Sequence, residues 1–229
     1  MSLDSQFDEG KDGERYTRLH CRWYLASKEY RQYHDMFIPA LPRPTQIDHI
    51  VVSEYGIFVI ETKTMNGKIY GYYDDSKWAQ YFGKEKYIFQ NPLRQNYLHT
   101  KTLAKFLNVD HSKLFPVIVF WGDCQLQTDL PENVCKEAAF VHYVKSKKQM
   151  LLTKEEVSRV CLTLHKLKTS DLDEKRQEHV ESLRSSEICP RCGGKLKKKT
   201  VRRGSSIGTK FIGCSNYPWC NYSRNLEDS

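Results

Sequence analysis

Two short runs constrain this chain more than anything else in it. Gln46–Ser53 (QIDHIVVS) and Ile57–Thr62 (IFVIET) are β-branched and nearly apolar, with Ser53-Glu54-Tyr55-Gly56 between them. Such runs read as adjacent strands of a buried sheet. Each carries charge where a core strand should have none. Asp48 sits in the first, Glu61 in the second, and Lys63 follows two residues on. Strand side chains alternate, so Glu61 and Lys63 share a face. Burying three charges costs on the order of several kcal/mol unless they pair or hold a metal. Two carboxylates can hold Mg²⁺ (or Mn²⁺), which polarises a phosphate and acidifies a bound water; a lysine can steady the developing charge. Those are the demands of phosphodiester hydrolysis. A salt bridge at a strand end is the competing explanation, and the spacing alone favours it. Turn length offers a check. A two- or four-residue connection puts Asp48 opposite Glu61, whereas a three-residue loop puts it opposite Thr62 on the other face. We expect the first arrangement.

Around this hairpin the pattern is that of an α/β chain. Residues 1–13 are polar and expected to fray. Tyr16, Leu19, Trp23 and Ala26 then recur at helical spacing, which predicts a helix capped by Asp12 and running to about Tyr30. Further strands are expected over Gly67–Tyr73, around Trp78–Phe82, over Phe115–Trp121 and over Ala138–Val144. Asn91-Pro92 starts a helix, with Asn as cap and Pro at its first position, ending near Leu107. Thr153 caps another that reaches about Lys168. The division expected is a domain over 1–168, a charged linker over 169–187 and a compact segment over 188–229.

That last segment holds Cys189, Cys192, Cys214 and Cys220, spaced C-x2-C-x21-C-x5-C. Four thiolates from two knuckles complete a tetrahedral Zn²⁺ site, with a disulfide pair as the weaker competitor. So short a segment has little core, and metal would supply much of its folding free energy. It is also where the charge lies. The chain carries +8 in all, and residues 185–229 hold nine basic residues against three acidic. Lys197, Lys198, Lys199, Arg202 and Arg203 can meet phosphates, and Phe211, Tyr217, Trp219 and Tyr222 offer stacking faces, although such aromatics also build small cores. Solvated lysines remain the plain alternative to a nucleic-acid grip.

Other classes drop out. No run approaches the roughly 18 apolar residues of a membrane span. The first nine residues show no signal-peptide pattern, so a cytoplasmic protein is expected. No G-x-x-x-x-G-K-[ST] loop is present, so no nucleotide is expected. Cys21, Cys124, Cys135 and Cys161 are dispersed, the histidines show no ligand spacing, and His49 should face away from Asp48.

Two resemblances extend this reading. Gly13-Glu14, Thr45-Gln46-Ile47-Asp48-His49-Ile50, Gly56 to Lys63, Gly67-Lys68-Ile69, Trp78 and Asn91-Pro92-Leu93-Arg94-Gln95 resemble, in order, the nuclease-related domain (NERD), which looks like a branch of the PD-(D/E)xK nucleases. The resemblance implies a restriction-endonuclease-like mixed sheet flanked by helices and metal-dependent cleavage of DNA. It makes Asp48 and Glu61 the metal ligands and Lys63 the catalytic lysine. It has Glu14 complete the metal site or orient its water, and Gln95 face the site. Glu14 has an equal alternative, as a first-turn carboxylate favoured by the helix dipole. Gln95 could as easily face solvent. Cys189-Pro190-Arg191-Cys192-Gly193-Gly194, Leu196, Phe211, Gly213-Cys214-Ser215 and Tyr217-Pro218-Trp219-Cys220 resemble the C-terminal zinc finger of bacterial type IA topoisomerases. That implies a zinc ribbon binding single-stranded DNA. The expected partner is DNA, single-stranded and branched forms included. The expected activity is a deoxyribonuclease; the alternative is a non-catalytic DNA-binding protein with a nuclease-like fold.

Overall fold

The computed structural model describes residues 3–40, 44–169, 189, 195–201, 208–217, 220 and 222–225. In chain order its elements are α1 (Leu3–Tyr24), β1 (Arg31–Ile38), β2 (Thr45–Ser53), β3 (Gly56–Thr64), β4 (Gly67–Tyr70), β5 (Lys77–Phe82), β6 (Glu85–Gln90) and α2 (Pro92–Leu107). There follow β7 (Leu114–Trp121), β8 (Cys124–Leu126), β9 (Val134–Lys136), α3 (Ala139–Ser146), α4 (Lys154–Thr169), β10 (Leu196–Thr200), β11 (Lys210–Cys214) and β12 (Ser223–Asn225). The fold is mixed α/β, as expected.

The main sheet has the order β1-β2-β3-β7-β9. Its first three strands are antiparallel, and β3, β7 and β9 run parallel. Parallel pairing needs a crossover, and the segment from β4 through α2 supplies it. One face packs Ile50, Val52, Ile57 and Val59 against Leu103 and Leu107 of α2 and Val160 and Leu164 of α4. The other packs Val51, Phe58, Ile60 and Val119 against Cys21 of α1 and Phe140 and Val144 of α3. Both faces are covered, which is why the central strands read as continuous apolar runs. A second sheet, β6-β5-β4-β8, sets Ile69, Trp78 and Phe89 against Ile118 and Phe120 of β7 and Leu93 of α2.

The caps follow the sequence. Asn91 accepts from the Leu93 amide at 2.9 Å. Thr153 and Glu156 form a reciprocal capping box, with bonds of 3.2 and 2.9 Å.

Several expectations are corrected. α1 starts at Leu3, so Asp12 lies inside it and not at its cap, and it ends at Tyr24. The Ser27 hydroxyl accepts the Glu29 amide, and Leu25 and Tyr30 turn into the core. Arg31–Ile38 then forms an unanticipated strand, which Asp35 interrupts at φ 54°. Its partner register skips from His34↔His49 to Met36↔Ile47. Gly71–Tyr73 is a turn beyond β4, and Glu85–Gln90 is an additional strand. Ala138–Val144 is not a strand: Phe140, Val141 and Val144 are buried at helical spacing in α3. The expected linker lies outside the described residues apart from Thr169, which ends α4.

Candidate active site and zinc ribbon

The hairpin between β2 and β3 closes through Glu54-Tyr55, with Ser53 opposite Gly56 and His49 opposite Ile60. The next step of that register sets Asp48 opposite Glu61, on one face, as the turn-length argument requires. Ladder pairing stops there. The Thr62 amide instead donates to Asp48 Oδ2 at 2.9 Å. The strands therefore part where the carboxylates stand.

Lys63 Nζ lies 2.6 Å from Glu61 Oε1. Gln95, one turn into α2, donates through Nε2 to the same oxygen at 2.6 Å and accepts from Lys63 Nζ at 3.0 Å. Gln95 thus faces the site and not solvent. His99, one turn further along α2, places Nε2 3.4 Å from Glu61 Oε2, and its Nδ1 is 2.9 Å from the Thr45 hydroxyl. Sequence reasoning set His99 aside with the other histidines. Its i+4 relation to Gln95 was the signal that could have found it.

Charge is unevenly held. Burial, then the charges of Glu61 and Glu14, push the Asp48 carboxyl well above the usual carboxylate range. Burial alone would raise Glu61 as well, but the Lys63 ammonium and His99 outweigh it and hold Glu61 low. Lys63 is raised because the pull of Glu61, Asp48 and Glu14 exceeds its desolvation. On the side of β2 facing away from Asp48, His34 Nδ1 and His49 Nδ1 are 2.9 Å apart. Burial lowers both, His34 to about 4, so this pair stays neutral at physiological pH.

Glu14 comes from the opposite face. It lies deep inside α1, so the first-turn dipole explanation falls away. Gly13 lets α1 sit close to β3: a Cβ there would lie 2.2 Å from Thr64 Oγ1 and 3.1 Å from Thr62 Cγ2. Thr17 adds a bond of 2.7 Å from Trp121 Nε1. Burial, then Asp35 and Glu61, raise the Glu14 carboxyl, so its charge is felt across the strand ends. Gly13→Ala is expected to lift α1 from β3 and lower stability by about 1–3 kcal/mol in thermal denaturation. Unchanged melting would show that the contact relaxes freely.

The oxygen donors of Asp48 and Glu61 suit a hard cation such as Mg²⁺ or Mn²⁺. Burial, then the charges of Glu61 and Glu14, disfavour the ionised Asp48, and a cation held there would offset both. Among the described residues, three metal-type donor atoms come within 4.8 Å of one another only at Cys189, Cys214 and Cys220.

These cysteines are buried, with Cys189 and Cys220 sulfurs 3.5 Å apart, and β10, β11 and β12 form a small antiparallel sheet beside them. Cys192, Arg202, Arg203 and Trp219 lie outside the described residues. Lys197 and Lys198 are exposed. Lys199 is engaged instead, donating to the Cys214 carbonyl at 2.7 Å with its ammonium 5.1 Å from the Tyr217 ring centre. Phe211 is half-buried and Tyr217 is 63% exposed.

Comparison with known proteins finds two family matches along the chain. The nuclease-related domain matches residues 9–121, and a topoisomerase DNA binding C4 zinc finger matches residues 186–229. An uncharacterized protein of Bacillus anthracis is 32% identical over 183 residues, covering 76% of this chain and 84% of the relative.

The chain belongs to the nuclease-related domain family.

Within that family it carries a topoisomerase-type C4 zinc ribbon. The ribbon region is 41% identical over 46 residues to DNA topoisomerase 1 of Helicobacter pylori and 49% over 41 residues to that of Archaeoglobus fulgidus. Those matches cover 20% and 18% of this chain, and 6% of each topoisomerase. No solved structure matches. No helix among the described residues is long and apolar enough to cross a membrane.

Proposed function

We propose that this chain is a divalent-metal-dependent deoxyribonuclease of the PD-(D/E)xK type, with the zinc ribbon gripping DNA. The observation that carries the reading is the closed set of bonds among Glu61, Lys63 and Gln95, with Asp48 brought beside Glu61 by the hairpin register and held by the Thr62 amide. A salt bridge alone explains Lys63 and Glu61, but not a second carboxylate buried beside them, raised by burial and then by the charges of Glu61 and Glu14. A cation held by Asp48 and Glu61 would polarise the scissile phosphate and lower the pKa of a water. Lys63 would stabilise negative charge developing on the phosphoryl oxygens. Gln95 and His99 hold Glu61 and Lys63 in place, and Glu14 adds negative charge to the metal end of the site. The exposed Lys197 and Lys198, with Tyr217, would supply phosphate and base contacts. The seven described cysteines are free thiols, which is consistent with a reducing compartment such as the cytoplasm.

The test is incubation of single-stranded, duplex and branched DNA with Mg²⁺ or Mn²⁺, beside Asp48→Ala. Cleavage by wild type that vanishes in the variant supports the enzyme. Binding without cleavage by wild type supports the DNA-binding alternative.

Metal should also reveal itself through pH. The folded-state pKa of Asp48 lies above its unfolded value of about 3.9. Its contribution to stability is therefore favourable below the unfolded value and is lost as pH rises through the folded one. A cation removes that loss. The rise in melting temperature on adding Mg²⁺ or Mn²⁺ is expected to be larger near about pH 8 than near about pH 5. Asp48→Asn should shrink the difference. Equal shifts at both values would detach Asp48 from the metal.

A further inference from the structure

We infer that the outer face of the second sheet is a binding platform for single-stranded nucleic acid, separate from both the carboxylate site and the ribbon. In β4, β5 and β6 the inward residues include Ile69, Trp78 and Phe89, which are buried against β7 and α2. The alternate residues point the other way. They include Lys68, Tyr70, Lys77, Tyr81, Lys86 and Ile88, all exposed.

Their arrangement is ordered. Tyr70 lies opposite Ala79, Lys68 opposite Tyr81, Tyr81 opposite Lys86 and Ala79 opposite Ile88. The small side chain of Ala79 thus forms the floor between larger neighbours. The Tyr70 and Tyr81 rings meet edge to face with centres 5.2 Å apart. The Lys86 ammonium sits 5.5 Å from the Tyr81 ring centre. No carboxylate points outward from β4, β5 or β6, since Glu85 falls on the inward alternation with Tyr87 and bonds its hydroxyl. Exposed rings among lysines, with no acid between them, match the two parts of a nucleotide: rings for base faces and ammonium groups for phosphates. Three strands make a face about 10 Å wide, which accommodates roughly two or three stacked bases. A duplex keeps its base faces inside and cannot use the rings.

The position suits a substrate track. The β4–β6 run begins three residues after the end of β3, which carries Glu61 and Lys63, and it ends at Gln90, five residues before Gln95. The turn after Tyr70 is fixed by Asn91, whose Nδ2 donates to the carbonyls of Tyr73 and Asp75 at 3.1 and 2.7 Å. Tyr72 and Tyr73, 60% and 65% exposed, are thereby held beside the start of α2. At the other edge, Asn216 of the ribbon donates to the Ile88 carbonyl at 3.0 Å.

The platform does not depend on turnover, so its test is binding by the zinc-loaded full chain without added Mg²⁺ or Mn²⁺. The probe is an oligothymidylate carrying bromodeoxyuridine, read by fluorescence anisotropy and by photocrosslinking with mass spectrometry. Crosslinks are expected at Tyr70 or Tyr81. Tyr70→Leu with Tyr81→Leu should weaken single-strand binding at least about tenfold, while Tyr70→Phe with Tyr81→Phe stays within about twofold of wild type. Replacing Lys68, Lys77 and Lys86 by Gln should flatten the slope of log affinity against log salt by roughly 2. Crosslinks confined to the ribbon, or a folded leucine variant that binds like wild type, would overturn the inference and leave the face to a protein partner. The wild-type crosslinks decide the matter even if the leucine variant does not fold. A platform confirmed here in a protein that never cleaves would refute the nuclease alone.

Discussion

Lys63→Ala is expected to lower the turnover rate on a cleavable DNA by about 10²–10³-fold while leaving substrate affinity near wild type. The reasoning starts from the contacts. Lys63 Nζ is the shared partner of Glu61 Oε1 and Gln95 Oε1, at 2.6 and 3.0 Å. In the resting fold it neutralises a buried carboxylate; in the reaction the same ammonium can meet charge developing on the phosphate. Its removal also has a folding cost. Glu61 is only 4% exposed, and leaving its charge uncompensated can cost about 3–5 kcal/mol. The measurement must therefore pair single-turnover kinetics with a melting curve, both with Mg²⁺ present. Lys63→Arg keeps the charge but changes its geometry, and should recover stability more than rate. Loss of melting temperature with normal turnover would reduce Lys63 to a structural counter-charge.

The second large effect concerns the ribbon. Removing zinc, or replacing Cys214 with Ser, is expected to unfold β10, β11 and β12 and leave the main sheet intact. The ribbon's described buried cluster is Cys189, Cys214 and Cys220, with only Leu196 and Tyr222 packed against it. Among the described residues that is too little apolar surface to offset backbone ordering. Structural zinc supplies about 10–16 kcal/mol in comparable finger peptides. One zinc per chain should be released by a strong chelator, with loss of ribbon amide protection in hydrogen exchange. The melting transition of the main domain should move by less than about 1 kcal/mol equivalent. Retained ribbon protection without metal would return the disulfide alternative to consideration.

The sequence made the centre of this fold legible and its edges obscure, for physical reasons. The β2–β3 hairpin was readable because side-chain parity ties Asp48 to Glu61 once the turn length is known, and the turn has two residues. The α2 start was readable because Asn91 and Pro92 each satisfy a distinct requirement of a helix terminus. β1 was missed because His34 and Asp35 break its alternation, and Asp35 adopts a left-handed conformation that no pattern announces. β6 was missed because it is an edge strand with three polar outer ends, Glu85, Lys86 and Gln90. Phe140 to Val144 has the composition of a strand, yet α3 buries its residues at helical spacing beneath α1. In the site, Gln95 was visible through resemblance alone. His99 was invisible because a histidine's partner cannot be read from spacing when it lies on another element.

The pairing of β3 with β7 carries a consequence for when the candidate site is assembled. Asp48, Glu61, Lys63, Gln95 and His99 all precede residue 100, yet β3 is flanked by β7, which ends at Trp121. Eight register pairs, from Ile57↔Leu114 to Thr64↔Trp121, hold the strand that bears Glu61 and Lys63. A growing chain thus carries these side chains before it has the strand that aligns them. Nascent polypeptide shorter than about 120 residues should lack the aligned set, because completing the parallel crossover is the step that brings these side chains together.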